Sequence, residues 1–303
     1  MAQTFDKPAL SIEQQIEQLI AKGMVVNDRA LVTHCLQHIS YYRLSAYWFP
    51  FENPKSQEGG RFKGTVTFED VLALYEFDRE LRLLTLDAIE RIEVAVRGSW
   101  AYQLAMIGGS HGYFSPALYS NPKKHEENCN KLKREAERSK DAFMAHYREK
   151  YGEPVHPPVW MASELLSFGQ LSQWYASLVS PKTRNDIARP FGLDETIFVP
   201  FIHHLAVVRN ICAHHGRLWN RSPTIALKLP KTQPARLANA LNREQPRKIY
   251  NSFAMIQYVL QTVENKTDWA SRLIDLINQI PVPLENSMGF DENWEDRNLW
   301  SLL

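Results

Sequence analysis

Apolar residues recur along this chain mostly at intervals of three and four, the spacing that gathers them on one side of an α-helix. Ser11 is placed to cap a first helix in which Ile12, Ile16, Leu19 and Ile20 share a face and Gly23 supplies the stop. Asn27 can cap a second, with Leu31, Cys35, Leu36 and Ile39 turned inward, so that the two form a small antiparallel pair. Tyr41 to Phe51 is dense in aromatic rings, which most often anchor a core, and Pro54 to Gly60 reads as a loop. From Thr67, with Asp70 answering its hydroxyl three residues on, a long helical pattern runs without proline to about Met106. It is carried by Val71, Leu74, Tyr75, Asp78, Leu81, Ile89, Ile92 and Val96, and Gly108 and Gly109 end it.

Residues 123–150 mix charges and offer few apolar anchors, as an exposed helix does. An apolar segment follows from Val159 to Leu178; Pro181 then opens a short helix that Gly192 closes, and Asp194 begins the next. Ile249, Phe253, Ile256, Leu260 and Val263 form a further stripe, and Thr267 caps a last helix with Leu273, Ile274 and Ile277 inward. No strand alternation of useful length and no repeat is present, so the expected fold is all-α.

Composition narrows the class. With 303 residues, 44% of them hydrophobic and 23% charged, the chain can bury one large core or two modest ones. Met1 to Ser11 lacks the apolar stretch of a signal peptide and no run of roughly 18 apolar residues is evident, so a cytoplasmic protein with no membrane partner is expected. Cys35, Cys129 and Cys212 are far apart and outside any CxxC pair, which fits reduced thiols better than a disulfide framework. The net charge is only +1, but residues 217–250 carry +7 and the remainder −6. Arg217, Arg221, Lys228, Lys231, Arg236, Arg243, Arg247 and Lys248 stand there against Glu244 alone, and such a patch attracts a phosphate backbone. A solvated basic loop is the plainer reading.

The candidate chemistry lies just before that window. Arg209, Asn210, His214 and His215 set a cation, an amide and two imidazoles at a helix end marked by Gly216. An imidazole titrates near neutrality and can move the proton of a ribose 2′-hydroxyl, while a guanidinium stays charged and can hold the phosphate under attack. No metal or other cofactor is required by such a scheme. Spacing proves little by itself, since Arg29 with His34 matches it as well; those two sit in a short amphipathic helix with no basic neighbourhood and read as surface residues. Asn210 lies four residues before His214, where its amide can orient the ring. Arg209 and His214 diverge by about 140° on a regular helix. Either the helix ends early enough to swing His214 round, or two copies share one cleft. Arg209 paired to a core carboxylate such as Glu90 or Glu93 is the structural alternative. Zinc held by His203, His204, His214 and His215 is another, without an HExxH motif or clustered cysteine to support it.

The stretch Arg209-Asn210-Ile211-Cys212-Ala213-His214 resembles the R-N-x-x-x-H signature of HEPN ribonucleases, the fold shared with type VI CRISPR effectors. Tyr41-Tyr42-Arg43-Leu44-Ser45-Ala46-Tyr47-Trp48, Phe77-Asp78-Arg79-Glu80-Leu81-Arg82 and the run from Arg209 to Arg221 together look like the Abi family (Abi-D/Abi-F type) of bacterial abortive-infection proteins, over residues 10 to about 280. The resemblance implies a HEPN-like helical bundle and an endoribonuclease acting in phage defence through 2′-hydroxyl attack, with Arg209, Asn210 and His214 or His215 catalytic, and the basic window adds Arg217, Arg221, Lys228 and Lys231 as the residues expected on the RNA. It also implies a homodimer with a composite site, and in some relatives a small structured non-coding RNA as partner. The chain then divides into an N-terminal helical region with the aromatic segment (1–52), a bundle with an inserted charged helix around 123–150 (53–285), and an acidic tail (286–303) outside the resemblance. A non-catalytic RNA-binding or sensor protein of a defence or toxin–antitoxin system is the alternative.

Overall fold

Side-chain caps fix where the helices begin in the computed structural model, which describes residues 6, 8–53, 62, 65–151, 153–264, 266–280 and 285–301. Helix α1 (Ile12–Ala21) starts at Ser11, whose hydroxyl accepts from the Gln14 amide at 3.3 Å while the Gln14 side chain accepts from the Ser11 amide at 2.8 Å. Helix α2 (Arg29–His38) is capped by Asp28, not by the expected Asn27, because it is the Asp28 carboxylate that reaches the Leu31 amide at 3.0 Å. The two helices pack together through Ile16, Leu19, Val32, Cys35 and Leu36, and Ile20 turns to solvent instead of joining them. Arg29 and His34 are surface residues as expected, the first paired with Glu17 at 2.8 Å and the second against the His38 ring.

The chain divides into two compact units, Met1–Leu81 with Leu276–Pro283 and Arg82–Asp275 with Leu284–Leu303. In the first, α3 (Tyr41–Leu44) opens the aromatic segment. Leu44, Tyr47 and Trp48 are buried, while Tyr42 and Phe49 face solvent, so only part of that segment is core. Tyr47 donates to Asp78 at 2.6 Å, and this explains why a carboxylate occupies a fully buried position in an apolar stripe. Helix α4 (Phe68–Gly108) opens on the predicted reciprocal cap: the Thr67 amide and hydroxyl both donate to Asp70 at 2.8 Å, and the Asp70 amide donates back at 3.2 Å. Gly109, at φ 71, follows its end. Pro54 to Gly60, read as a loop, lie outside the described residues.

The second unit holds most of the helices. The charged segment expected as one exposed helix is two, α5 (Pro122–Arg138) and α6 (Ala142–Lys150). They part where the Ser139 hydroxyl donates to Asp141 at 2.7 Å and accepts from its amide at 3.2 Å, a local competitor to helical bonding. Helix α5 is also not exposed all round, since His125, Cys129, Leu132 and Ala136 are buried. The apolar segment likewise splits into α7 (Val159–Leu165) and α8 (Phe168–Ala176), because Ser167 and Gln170 form a second capping box between them. Then come α9 (Pro181–Ala188) and α10 (Glu195–Ala213), the latter capped by Asp194. Among the described residues, α10 is the one helix long and apolar enough to cross a membrane, a stretch the residue pattern did not single out; half of it is buried, with α8 and α9 packed against it.

Helices α11 (Ala235–Ala238), α12 (Ile249–Val263), α13 (Trp269–Ile277) and α14 (Glu285–Met288) complete the chain. Ile249, Phe253, Ile256 and Leu260 are buried on α12, and the Thr267 hydroxyl accepts from the Trp269 amide at 3.3 Å to open α13, as the spacing predicts. The acidic tail packs into the second unit: Trp294, Leu299 and Trp300 are buried, Arg297 donates to Ala240 O and to the Tyr250 hydroxyl at 2.8 Å each, and Glu292, Glu295 and Asp296 face water. No strand is present among the described residues, and the fold is all-α.

His204 joins α10 to α12 and to the basic segment. Its Nδ1 donates to Ile225 O at 2.6 Å and its Nε2 accepts from the Ser252 hydroxyl at 2.8 Å, so the ring is held neutral. Burial lowers its pKa from 6.5 to about 4. Between those two values the unfolded chain binds the proton that the folded ring refuses, so acid favours unfolding. Stability is therefore expected to fall as pH drops from 6.5 to about 4, with this group contributing a slope of up to about 1.4 kcal/mol per pH unit. Urea midpoints followed against pH check this, and His204→Gln is expected to flatten that part of the curve.

Candidate active site at the C-terminal end of α10

The expected cluster is anchored by a carboxylate on another helix. Arg209 Nε lies 3.9 Å from Glu93 Oε2, so the core partner weighed for it is real and is Glu93; Glu90 faces solvent. The other oxygen of Glu93 is taken by Arg97 one turn further along α4. Arg97 reaches on to Leu166 O at 2.7 Å and to Ser163 O, carbonyls at the end of α7 that have no helical donor left. Arg97 and Glu93 are 12% and 13% exposed, whereas Arg209 is 42% exposed. Two guanidiniums thus share one carboxylate. The surplus positive charge sits on the member that meets water, and it is available to an anion.

Helix α10 ends on a double reversal of hydrogen bonding. The Gly216 amide donates to Ile211 O at 2.8 Å and the His215 amide to Cys212 O at 3.0 Å, the pattern that closes a helix with one left-handed residue. That residue is usually glycine, but here it is His215, at φ 57. Gly216 follows because a Cβ there would stand 3.1 Å from Ile211 O. His214 is the cap residue at φ −91 and ψ 17, in the bridge region, and its amide still donates to Asn210 O at 3.0 Å. Helical bonding therefore runs through the His214 amide, and the chain reverses only after it.

Both imidazoles and Asn210 are exposed, and no hydrogen bond links the His214 ring to another described residue. The Asn210 amide oxygen accepts from Arg209 Nη1 at 3.4 Å, so this side chain is turned to the guanidinium and not to the imidazole it was expected to orient. Arg209 and Asn210 are brought together; His214 lies at the surface four residues after Asn210, with no side-chain hydrogen bond to either.

The basic window divides into scaffold and free charge. Arg236, Arg243 and Lys248 donate to the carbonyls of Asn298, Pro230 and Ser287 at 3.2, 2.7 and 3.1 Å, and so hold a segment with little regular structure. Arg217 lies over the ring of buried Trp219, 5.7 Å from its centroid. Arg221, Lys228 and Lys231 face solvent, as an RNA-facing set requires. The four histidines considered for zinc are not brought together, and both nitrogens of His204 are already occupied.

Residues 34–220 match the family model described as Abi-like protein, more than half of the chain. The chain belongs to the Abi-like family. The match takes in the Tyr47–Asp78 bond and the whole Glu93, Arg97, Arg209 and His214 constellation, and it stops before most of the basic window. Membership points to a role in abortive infection, a phage defence. No curated protein and no solved structure matches the chain.

Arg97 is the site residue that the residue pattern did not single out. Its signal is a Glu93/Arg97 pair at i,i+4 on a stretch of α4 whose other positions include buried Ile89, Ile92, Val96 and Trp100. Arg97→Ala is expected to lower the unfolding free energy by about 3 kcal/mol, because it strands a buried carboxylate and two carbonyls. Arg209→Ala, at the wet end of the same tie, is expected to cost under about 1 kcal/mol. Urea denaturation of the two variants compares them, and equal losses contradict this division of roles.

Proposed function

We propose that this Abi-like protein is a metal-independent endoribonuclease of the HEPN type that acts in abortive infection. The observation that carries the reading is that Arg209 emerges at the surface with unneutralised charge, one helical turn from an exposed His214, ahead of exposed Arg221, Lys228 and Lys231. A purely structural ion pair needs none of those neighbours.

In the proposed reaction an imidazole, His214 with His215 as its rival, removes the ribose 2′-hydroxyl proton and the 2′-oxygen attacks the adjacent phosphorus. Arg209 stabilises the charge that builds on the phosphorane. The bond to the 5′-oxygen then breaks, that oxygen takes a proton from a second imidazole, and the products are a 2′,3′-cyclic phosphate and a 5′-hydroxyl. Because the chain reverses only after His214, Arg209 and His214 of one copy still point apart. A homodimer in which each copy supplies one imidazole to a shared cleft resolves this, and RNA is then both substrate and, as a small structured species, a candidate partner. A ribonuclease of this kind acts in the cytoplasm, where its substrate is.

The test is incubation of the full chain with labelled single-stranded RNA. Cleavage to cyclic-phosphate ends is expected, unaffected by EDTA, with DNA left intact. His214→Ala and Arg209→Ala are each expected to lower the rate by 100-fold or more, on the order of a lost acid–base or charge-stabilising group, and His215→Ala assigns the second imidazole. Retained cleavage in His214→Ala and His215→Ala alike overturns the mechanism. RNA binding that weakens in Arg209→Ala with no product from any variant makes the protein a binder or sensor.

A further inference from the structure

A cavity of about 490 Å³ opens at the N-terminal end of α7, and its wall is built largely of rings: His111, Phe143, Tyr147, Tyr151 and Trp160, with Glu153 among the lining residues. Part of that wall is rigid. Tyr147 donates to Pro154 O at 2.9 Å and to His156 O at 3.2 Å, and His111 Nε2 donates to the same His156 carbonyl at 3.0 Å. A carbonyl only accepts, so His111 carries its proton on Nε2 while Nδ1 accepts from the Ser110 hydroxyl at 2.9 Å. The rest of the wall is open. Trp160 is 54% exposed and Tyr151 48%, large apolar surface that folding alone leaves in water.

We propose that this cavity takes a purine base of single-stranded RNA, guanine by preference, and so selects where the RNA is cut. This rests on the ribonuclease reading above. Flat rings stack on aromatic side chains whatever their identity, exposed Trp160 and Tyr151 offer the faces, and a pinned ring such as His111 loses little freedom when a base arrives. Selection comes from Glu153. A carboxylate is an acceptor only, and guanine presents two adjacent donors, N1–H and the 2-amino group, that meet both of its oxygens. Adenine and the pyrimidines offer at most one donor group with its neighbouring ring position an acceptor or a lone N–H. An organic cation also suits rings beside a carboxylate, but Lys150 already stands 5.4 Å from the Tyr151 ring centroid, and that charge repels a second cation while attracting the phosphate attached to a base.

The place is right for a substrate-reading pocket. Trp160 and Leu166, whose carbonyl accepts from Arg97, are six residues apart along α7 and its end, about 9 Å of helix rise. Arg97 in turn holds the carboxylate that holds Arg209. The helix that carries Trp160 into the cavity wall is thus tied at its other end, through Arg97 and Glu93, to Arg209.

Isothermal titration of the full chain with guanosine, adenosine and uridine monophosphates, and with tetramethylammonium, tests this. Guanosine monophosphate is expected to bind best. Trp160→Ala, at an exposed position, is expected to weaken it roughly tenfold, and Glu153→Gln to bring it level with adenosine monophosphate while stacking persists. In cleavage assays both variants are expected to lose base preference at the cut, and Arg209→Ala to lose cleavage with nucleotide binding unchanged. Cleavage by the wild type without nucleotide binding, or with preference intact in both variants, overturns the pocket and leaves the nuclease standing. Nucleotide binding without cleavage does the reverse. Tetramethylammonium binding in place of nucleotides makes the cavity a cation cage and also overturns the proposal.

Discussion

One carboxylate organises the second unit around its candidate chemistry. Glu93 lies between two guanidiniums, accepting a hydrogen bond from nearly buried Arg97 and forming a longer ion pair with half-exposed Arg209. The buried partner, Arg97, satisfies the loose carbonyls at the end of α7, so a single ion triad closes one helix, ties it to α4 and aims Arg209 outward. Burying a lone carboxylate is costly, and sharing it between two cations offsets that cost. It also leaves net positive charge at the surface. The stability of this junction and the positive charge it presents at the surface are consequences of the same arrangement.

Around this triad the backbone is managed by side chains more than by regular structure. Residues 217–248 contain only one short helix, yet Arg236, Arg243 and Lys248 bind carbonyls and His204 fixes Ile225 from the core. Three of the eight cations in what reads as a nucleic-acid patch are thus internal bracing. Arg221, Lys228, Lys231 and Arg247 stay exposed to water. A basic run in sequence therefore overstates the charge available to a ligand, since a cation bound to a carbonyl keeps its charge but loses its freedom to reach a phosphate.

Helix starts were the most legible feature because a cap is a local bond. Ser11, Thr67 with Asp70, Asp194 and Thr267 each cap within three residues, and all four stand where the spacing puts them. Asp28 displaced Asn27 because neighbouring residues with similar side chains compete for one amide. The breaks at Ser139 and Ser167 went unread for the opposite reason: each is made by one serine within an otherwise helical composition, and periodicity averages over it. The acidic tail shows the limit of charge as a guide, since its tryptophans are core, Asp291 pairs with Arg297 and only Glu292, Glu295 and Asp296 face water.

The sequence by itself determined the all-α fold, the helix that ends at Gly216, and the set of residues able to do acid–base and phosphate chemistry there, because periodicity, caps and residue chemistry are properties of short segments. Tertiary structure decided which of those residues are free to act. That Arg209 leans on Glu93, that Arg97 stands behind it, that His215 takes the left-handed position and that rings from α6, α7 and the turn after α4 enclose one cavity all depend on segments tens of residues apart meeting in space. No local pattern encodes such meetings, since packing of the core brings them about.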